Sequence, residues 1–476
     1  MTDWGLRSAT ELASAVRARE MSALELVDHV LTRVGALNPE LNAIVTIDAE
    51  RARAEARRLD DALLTDGPVG ALHGLPITVK DTLETAGMRT TAGTERLADH
   101  IPDVDSDVVA LVKQQGAIVF GKTNVPPFAE DHQTYNSLFG TTNNPWDTSL
   151  TPGGSSGGAA AAVSAGMTAF EIGSDIGNSI RSPASHCGVF GHKPTFGLVS
   201  MRGHIPPMPG GLQARDIEVV GPLARAAEDI ELLLPILASR SPDNFSAPRS
   251  GSLEGYRIAA WFDDPDHPTA PETRDVLERA VDELRRAGAK IDDAARPAFS
   301  MREARAVFNA LIVGALSPNL SEEETAFAEI HRDDPGPAGR FARNVSMTHR
   351  EWLAYDERRQ QLRARWDEFF RDFDALLCPC NPVPPFEHDQ PAKVDMERTV
   401  QIGGHAFRYF DQSVWAGLGG VAYLPGTAAP IGRTPEGLPV GMQIVGPYGE
   451  DMTCIDLARR ITEIVGGYEP PPMAIL

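Results

Sequence analysis

A chain of 476 residues with 42% hydrophobic side chains can bury a large core, and its formal charge of −22 argues against nucleic acid and anionic membranes as partners. Its four cysteines, Cys187, Cys378, Cys380 and Cys454, are too few for a disulfide framework and point to a reduced, cytoplasmic setting. No apolar run reaches the roughly 18 residues that span a bilayer, and the opening "MTDWGLRSATELASAVRARE" lacks the apolar centre of a signal peptide.

The chain begins with helices. Ser8 with Glu11, and Ser22 with Glu25, have the spacing of capping boxes. Leu24, Val27, Leu31 and Val34 then fall on one helical face, and residues 51–64 read as a third helix with a charged outer side. Strand-like runs follow: "LPITVK" (75–80) and "AIVFGKTN" (117–124), with a helix between them at 108–115. Further along, "RIAAWF" (257–262), "DALLCP" (374–379) and "GMQIVGP" (441–447) read as buried strands. Residues 271–286 form an amphipathic helix stopped by Gly288. Trp352, Tyr355, Leu362, Trp366, Phe369 and Phe373 recur at helical spacing, as expected of core packing rather than a cofactor box. Residues 239–255 read as a linker and 331–340 as a second loop; Asp263-Asp264 and the acids at 322–324 should face solvent. Strands alternating with helices imply a layered α/β fold with helices covering a sheet.

Chemistry concentrates in two stretches. In "TPGGSSGGAAAAVSAG" (151–166), the alanine run argues for a helix and against a flexible tether. The same stretch lacks the Gly-Lys-Ser/Thr ending of a phosphate-binding loop. Residues 153–157 match G-x-S-x-G, but Pro145 and Pro152 rule out the buried strand that a nucleophile elbow needs. In "GSDIGNSIR" (173–181), small residues lead into Ser179, and such a loop can aim several backbone N–H groups at one point. Each of the 12 histidines is a conceivable base, yet none has a distinguishing context. Cys378-Pro379-Cys380 is C-x-C with no second pair, so buried thiols are expected there and no metal site.

Lys80, ending "GLPITVKD", completes a constellation with these two stretches. Together they resemble the amidase signature family of serine hydrolases. The likeness runs from "ELASAVRAREMSALELVDHV" through "LHGLPITVKD", "GAIVFGKTN", both serine stretches and "GLPVGMQIVGP". It implies one large domain over 1–476, with a central mixed β-sheet covered by helices on both sides. Within it, 1–70 would be N-terminal helices, 71–235 the catalytic core, 255–400 a variable pocket region and 401–476 a return to the sheet. It implies no cofactor, and a Ser–cis-Ser–Lys relay. Ser179 would be the nucleophile, Ser155 the bridging serine in a cis peptide, and Lys80 the base. The oxyanion would meet the backbone N–H groups of Ile176, Gly177, Asn178 and Ser179. Ser156, Asp175 and Arg181 would support the loop.

Some positions depart from the family wording. Asn178 stands where a second glycine is usual, and "CPCNPVPP" (378–385) replaces a more common threonine-proline phrase. The loop "NVPPFAEDHQTYN" (124–136) corresponds to one that lines the acyl site, which marks Ala129, Glu130, Asp131 and Gln133 as substrate contacts. If Glu130 or Asp131 faces inward, the pocket should be locally negative and favour compact neutral or amine-bearing amides or carbamates. Phe308, Leu311, Ile312 and Trp352 are candidates for its walls. The reading is a stand-alone amidase acting on small amides, anilides, oligoamides, carbamates or esters. Its partners would be that small substrate alone, with a homodimer compatible with some relatives. One alternative is the amidase subunit of a tRNA-dependent amidotransferase. That subunit usually has glutamine after the "SIR" arginine and an "SRYG…SSLDQ" stretch, where this chain has Ser182 and "SMRGHIPPMPGGLQARDIEVVGPL". A further alternative is a non-catalytic binding protein on the same fold.

Overall fold

The computed structural model describes residues 3–238, 245–390 and 398–475. Helices come first: α1 (Ala9–Arg17) and α2 (Ala23–Leu41). Both capping boxes form, each serine hydroxyl accepting from the glutamate N–H and each carboxylate accepting from the serine N–H. Val27 and Val34 are buried, with Leu24 and Leu31 packed against the same core. Then come β1 (Ile44–Ile47), α3 (Ala49–Thr65), β2 (Pro76–Lys80), α4 (Asp107–Gln114) and β3 (Ile118–Thr123). A short ribbon, β4 (Tyr135–Asn136) and β5 (Gly140–Thr141), precedes α5 (Gly157–Ser164). The first half closes with β6 (Glu171–Asp175), α6 (Arg181–Cys187), β7 (Phe190–Lys193), β8 (Val219–Ala224) and α7 (Ala227–Leu237).

The second half holds β9 (Arg257–Ala260), α8 (Pro271–Arg286), β10 (Lys290–Asp292) and the helices α9 (Met301–Leu316), α10 (Glu322–His331), α11 (Gly336–Val345) and α12 (His349–Asp372). It continues with β11 (Ala375–Pro379), the hairpin β12 (Thr399–Ile402) and β13 (His405–Arg408), α13 (Val414–Gly420), β14 (Gly426–Arg433), β15 (Pro439–Val445) and α14 (Asp451–Val465). The expected loop at 331–340 is therefore the α10–α11 corner and the start of α11: Pro337 sits in the first turn of α11, where a missing N–H does no harm. Of the expected linker 239–255, residues 239–244 lie outside the described residues, and its end is a short 3-10 turn at Leu253–Gly255.

Eight strands make a mixed sheet in the order β10-β9-β11-β15-β14-β7-β8-β6, with β9 parallel to β10 and β11 and the other pairs antiparallel. Every residue of β11 and β15 is buried, as strands covered on both faces require. α5 and α6 pack together, with α6 on β14 and β15, while α7, α8 and α14 form a second helical layer. A smaller sheet has β3 between β1 and β2, and its strand β2 lies against the edge strand β6 of the large sheet. That meeting of two edges places the end of β2 next to the end of β6. The later part of the aromatic stripe of α12 is core: Trp366 stacks on Phe370 at 5.3 Å, and Leu362 and Phe369 are buried beside them, whereas Trp352 and Tyr355 are half-buried. All four cysteines are buried free thiols, and Cys378 accepts from Gln443 Nε2 at 2.9 Å. Among the described residues no helix is long and apolar enough to cross a membrane.

Candidate active site

Lys80 is the last residue of β2. Ile77 and Val79 are buried beside it, and parallel pairing with β3 aligns it with Thr123. Its side chain has no exposed surface. Nζ lies 2.7 Å from Ser155 Oγ, 3.0 Å from Ser174 Oγ and 3.4 Å from the Ser174 carbonyl oxygen. Burial pushes the amine down to about 7 from its ordinary value, against the opposing pull of Glu218, Asp175 and Glu171. An amine near 7 is substantially neutral in ordinary buffer, which is the state that accepts a proton.

Ser155 is delivered by the turn ahead of α5. The Gly154–Ser155 peptide is cis, and Gly153 has a φ of +83°. A Cβ on Gly154 would stand 2.6 to 2.7 Å from backbone atoms of Asp131 and Gln133, so glycine there is required by the close approach of another strand of chain. The neighbouring Ser156 joins the two serine stretches: its N–H donates to the Ser179 carbonyl at 3.1 Å and its hydroxyl to the Ser174 carbonyl at 3.3 Å.

Ser179 follows β6 in a loop organised around one carboxylate. Asp175 accepts from the N–H groups of Asn178 (2.9 Å) and Ile180 (3.0 Å), and from Arg181 Nε (3.0 Å) and Nη2 (2.8 Å). Burial alone would raise the Asp175 carboxyl, but the Arg181 guanidinium and these donors hold it well below the usual carboxylate range. Arg181 in turn donates to the Ala416 carbonyl (2.9 Å) and to Gln443 Oε1 (2.5 Å), which ties the loop to α13 and β15. The two departures from family wording prove to be partners. Asn178, with a φ of +94°, donates from Nδ2 to the Cys380 carbonyl at 2.8 Å and to Asn381 Oδ1 at 3.0 Å.

One expected oxyanion donor is corrected by this arrangement. The Asn178 N–H points to Asp175 and is not available to a ligand. The N–H groups of Ile176, Gly177 and Ser179 enter no hydrogen bond among the described residues.

Ser179, Ile176 and Gly177 form the floor of a cavity of about 830 Å³. Its upper wall comes from α9 and α11, with Ile312, Leu316 and Phe341 among its members. Ala129, Glu130 and Asp131 line one side. Gln133 does not line it: its amide is spent on the Asp389 backbone, donating at 2.7 Å and accepting at 3.1 Å. Glu130 is paired with Arg215 at 2.8 Å and accepts from Asn319 at 3.0 Å; Asp131 is paired with Arg398 at 2.7 Å and accepts from the Tyr409 hydroxyl at 2.6 Å. Each acid thus meets an arginine at the cavity edge, and each arginine is shared with a second acid, Arg215 with Glu218 at 3.7 Å and Arg398 with Asp389 at 3.1 Å. Of the four wall candidates only Ile312 reaches the cavity; Phe308 and Leu311 are buried behind it, and Trp352 lies over the Arg359 guanidinium. Sequence reasoning missed Ser174, His204 and Glu218, which stand behind Lys80. Ser174 is inside a quoted motif, but nothing marked it, and "RGHIPP" carries no catalytic signature. No group of three or more metal-ligating side chains is assembled among the described residues.

A family model described as Amidase matches residues 25–455. A glutamyl-tRNA(Gln) amidotransferase subunit of Cyanothece sp. (strain PCC 7425) is 31% identical over 474 residues, covering 93% of this chain and 94% of the relative. A solved amidase structure superposes with a TM-score of 0.81 at 28% identity, over 96% of this chain and 99% of that one. A bacterial aryl acylamidase of the amidase signature family superposes with a TM-score of 0.83 over 98% of both chains; at 23% identity it speaks for the fold alone. The exclusion of nucleic acid drawn from net charge is overturned by relatives whose name contains glutamyl-tRNA(Gln). Net charge is a sum over the whole surface and does not describe any one patch of it.

Proposed function

The chain belongs to the amidase family of enzymes acting on amide C–N bonds, and on that premise we propose that it cleaves its substrate through an acyl-enzyme on Ser179, with Ser155 and Lys80 as proton relay. The observation that carries this is the 2.7 Å contact between a fully buried lysine amine and the Ser155 hydroxyl, one residue from the Ser156–Ser179 backbone bond. Ser179 Oγ attacks the carbonyl carbon and gives its proton to Ser155, whose own proton passes to neutral Lys80. The tetrahedral oxyanion is met by the N–H groups of Ile176, Gly177 and Ser179, a type of donor whose loss costs about 3 kcal/mol in the transition state. The relay then returns the proton to the departing nitrogen, the C–N bond breaks and the amine leaves. Water repeats the cycle on the ester, releasing the acid and restoring Ser179.

The comparisons favour one setting for this chemistry: the amidase component of an amidotransferase serving glutamyl-tRNA(Gln), at about 30% identity along the whole chain. A stand-alone amidase is the second reading, and a specific observation supports it. The stretch that departs from the wording of that component contains His204, which bonds directly to Ser174 behind the lysine, so the departure reaches the site itself. The deciding experiment isolates the native chain with whatever co-purifies, then measures amide transfer onto glutamyl-tRNA(Gln) and, separately, release of nitroaniline from p-nitroacetanilide. Transfer that needs co-purifying proteins supports the first reading; hydrolysis by the lone chain supports the second. Inactivity in both, with Ser179 unreactive, removes the acyl-enzyme proposal.

A further inference from the structure

Hydrogen bonds continue behind Lys80. Ser174 Oγ, 3.0 Å from Lys80 Nζ, is 2.9 Å from His204 Nε2, and His204 Nδ1 is 3.1 Å from the Pro206 carbonyl oxygen. Lys80, Ser174 and His204 are all buried. A carbonyl oxygen only accepts, so the proton of the neutral ring is on Nδ1 and Nε2 is an acceptor. The Ser174 hydroxyl must therefore donate to Nε2. Its oxygen is left with lone pairs, and it takes an N–H from Lys80. The second N–H of the neutral amine points to the Ser174 carbonyl at 3.4 Å. What remains on nitrogen is the lone pair, and the remaining neighbour is Ser155 Oγ at 2.7 Å.

We propose that His204, acting through the Ser174 hydroxyl, is a positioning residue that sets the polarity of the relay, so that the lone pair of Lys80 faces the Ser155 proton. The inference rests on the reading of Lys80, Ser155 and Ser179 as the relay. In the reacting step one proton leaves Ser179 for Ser155 and one leaves Ser155 for Lys80, while the Ser179 oxygen bonds the acyl carbon. Ser174 and His204 keep their protons throughout. A doubly protonated His204 would donate from both nitrogens, and Ser174 would have to turn its hydroxyl proton towards Lys80. The charged groups around the ring are Glu218, 3.9 Å from Nε2, together with Lys80 and Arg215. Burial lowers the ring's proton affinity, Glu218 opposes that, and Lys80 and Arg215 reinforce it.

The test is the rate at which a fluorophosphonate probe labels Ser179 in the full chain between pH 6 and 9, which needs no knowledge of the natural substrate. Wild type, His204→Phe, His204→Gln and Ser174→Ala are compared, with thermal melting as a check on folding. The expected result is labelling of His204→Phe and Ser174→Ala slowed about ten- to a hundredfold, as loss of one orienting hydrogen bond implies, with the acid limb displaced. His204→Gln, whose amide oxygen can accept from Ser174, should recover most of the rate. If His204→Phe does not fold, Ser174→Ala against wild type carries the test alone. A wild-type rate and limb in both His204→Phe and Ser174→Ala overturns the inference while leaving the relay intact. A wild-type protein that is never labelled on Ser179 overturns the relay reading, and the inference with it.

Discussion

The floor and the upper wall of the cavity are built on different terms. On the floor, Lys80, Ser155 and Ser179 are at most 7% exposed, and the backbone around them is fixed by Asp175, Arg181, Ser156 and Asn178. Two short stretches and one strand end supply nearly all of those groups. The upper wall is a set of half-exposed side chains on α9 and α11; α9 is anchored by its buried face, Val307, Phe308 and Leu311, and a few long-range polar bonds add to that. Arg305 pairs with Asp411 at 2.6 Å, Asn319 donates to Glu130 at 3.0 Å, and Arg215 donates to the Ala315 carbonyl at 3.3 Å. The contrast teaches where each property resides. Bond making needs atoms held within tenths of an ångström, and only a buried network with satisfied partners does that. Substrate choice needs a shape and a charge pattern, which the exchangeable side chains of this wall, Ile312, Leu316 and Phe341 beside Arg305, Arg340 and Arg343, can provide.

The sharpest way to break the comparison is to cut the floor. Ser179→Ala and Lys80→Ala should each reduce turnover by roughly 10⁴-fold or more, Ser155→Ala should be nearly as severe, and double variants should fall little further because the three act as one unit. Intact mass of the protein trapped with a slow substrate should place the acyl group on Ser179; an adduct on Ser155 would reassign the nucleophile. Next in size is Asp175→Asn. It leaves the buried Arg181 guanidinium without its anion, and breaking such a pair from one side costs about 3–5 kcal/mol. Denaturant unfolding should record that loss alongside reduced turnover; unchanged stability would mean that the loop does not depend on this carboxylate.

Acidity probes the floor more gently. Protonated Lys80 cannot accept a proton, so the inactive side is the acidic one. With the amine pushed down to about 7, activity should climb between pH 6 and 8 and then level off. A pH–rate profile whose limb lies near 4.5 would point to a carboxylate base. The smallest effect is expected on the upper wall. Ile312→Ala should change KM several-fold for amides with bulky acyl groups, while kcat, fluorophosphonate labelling and melting temperature stay near wild type. A fall in labelling rate comparable to that of the floor variants would show that the wall takes part in chemistry, and the contrast would collapse.

Local signals in the chain were enough for several elements and for the residues proposed here to carry the reaction. The capping boxes at Ser8 and Ser22 and the amphipathic run at 271–286 appear as α1, α2 and α8 because their information lies within one or two helical turns. Lys80, Ser155 and Ser179 stood out because glycine-bounded serines and a lysine closing an apolar strand are unusual sequence, and together they matched a family. Three-dimensional packing alone decided the rest. It paired Asn178 with Asn381 across more than two hundred residues, matched Glu130 and Asp131 with Arg215 and Arg398, turned Gln133 away from the cavity and diverted the Asn178 N–H to Asp175. It also put His204 behind the lysine. These outcomes depend on which distant groups share a desolvated space, where a polar atom must find a partner or be heavily penalised, and no spacing along the chain encodes that.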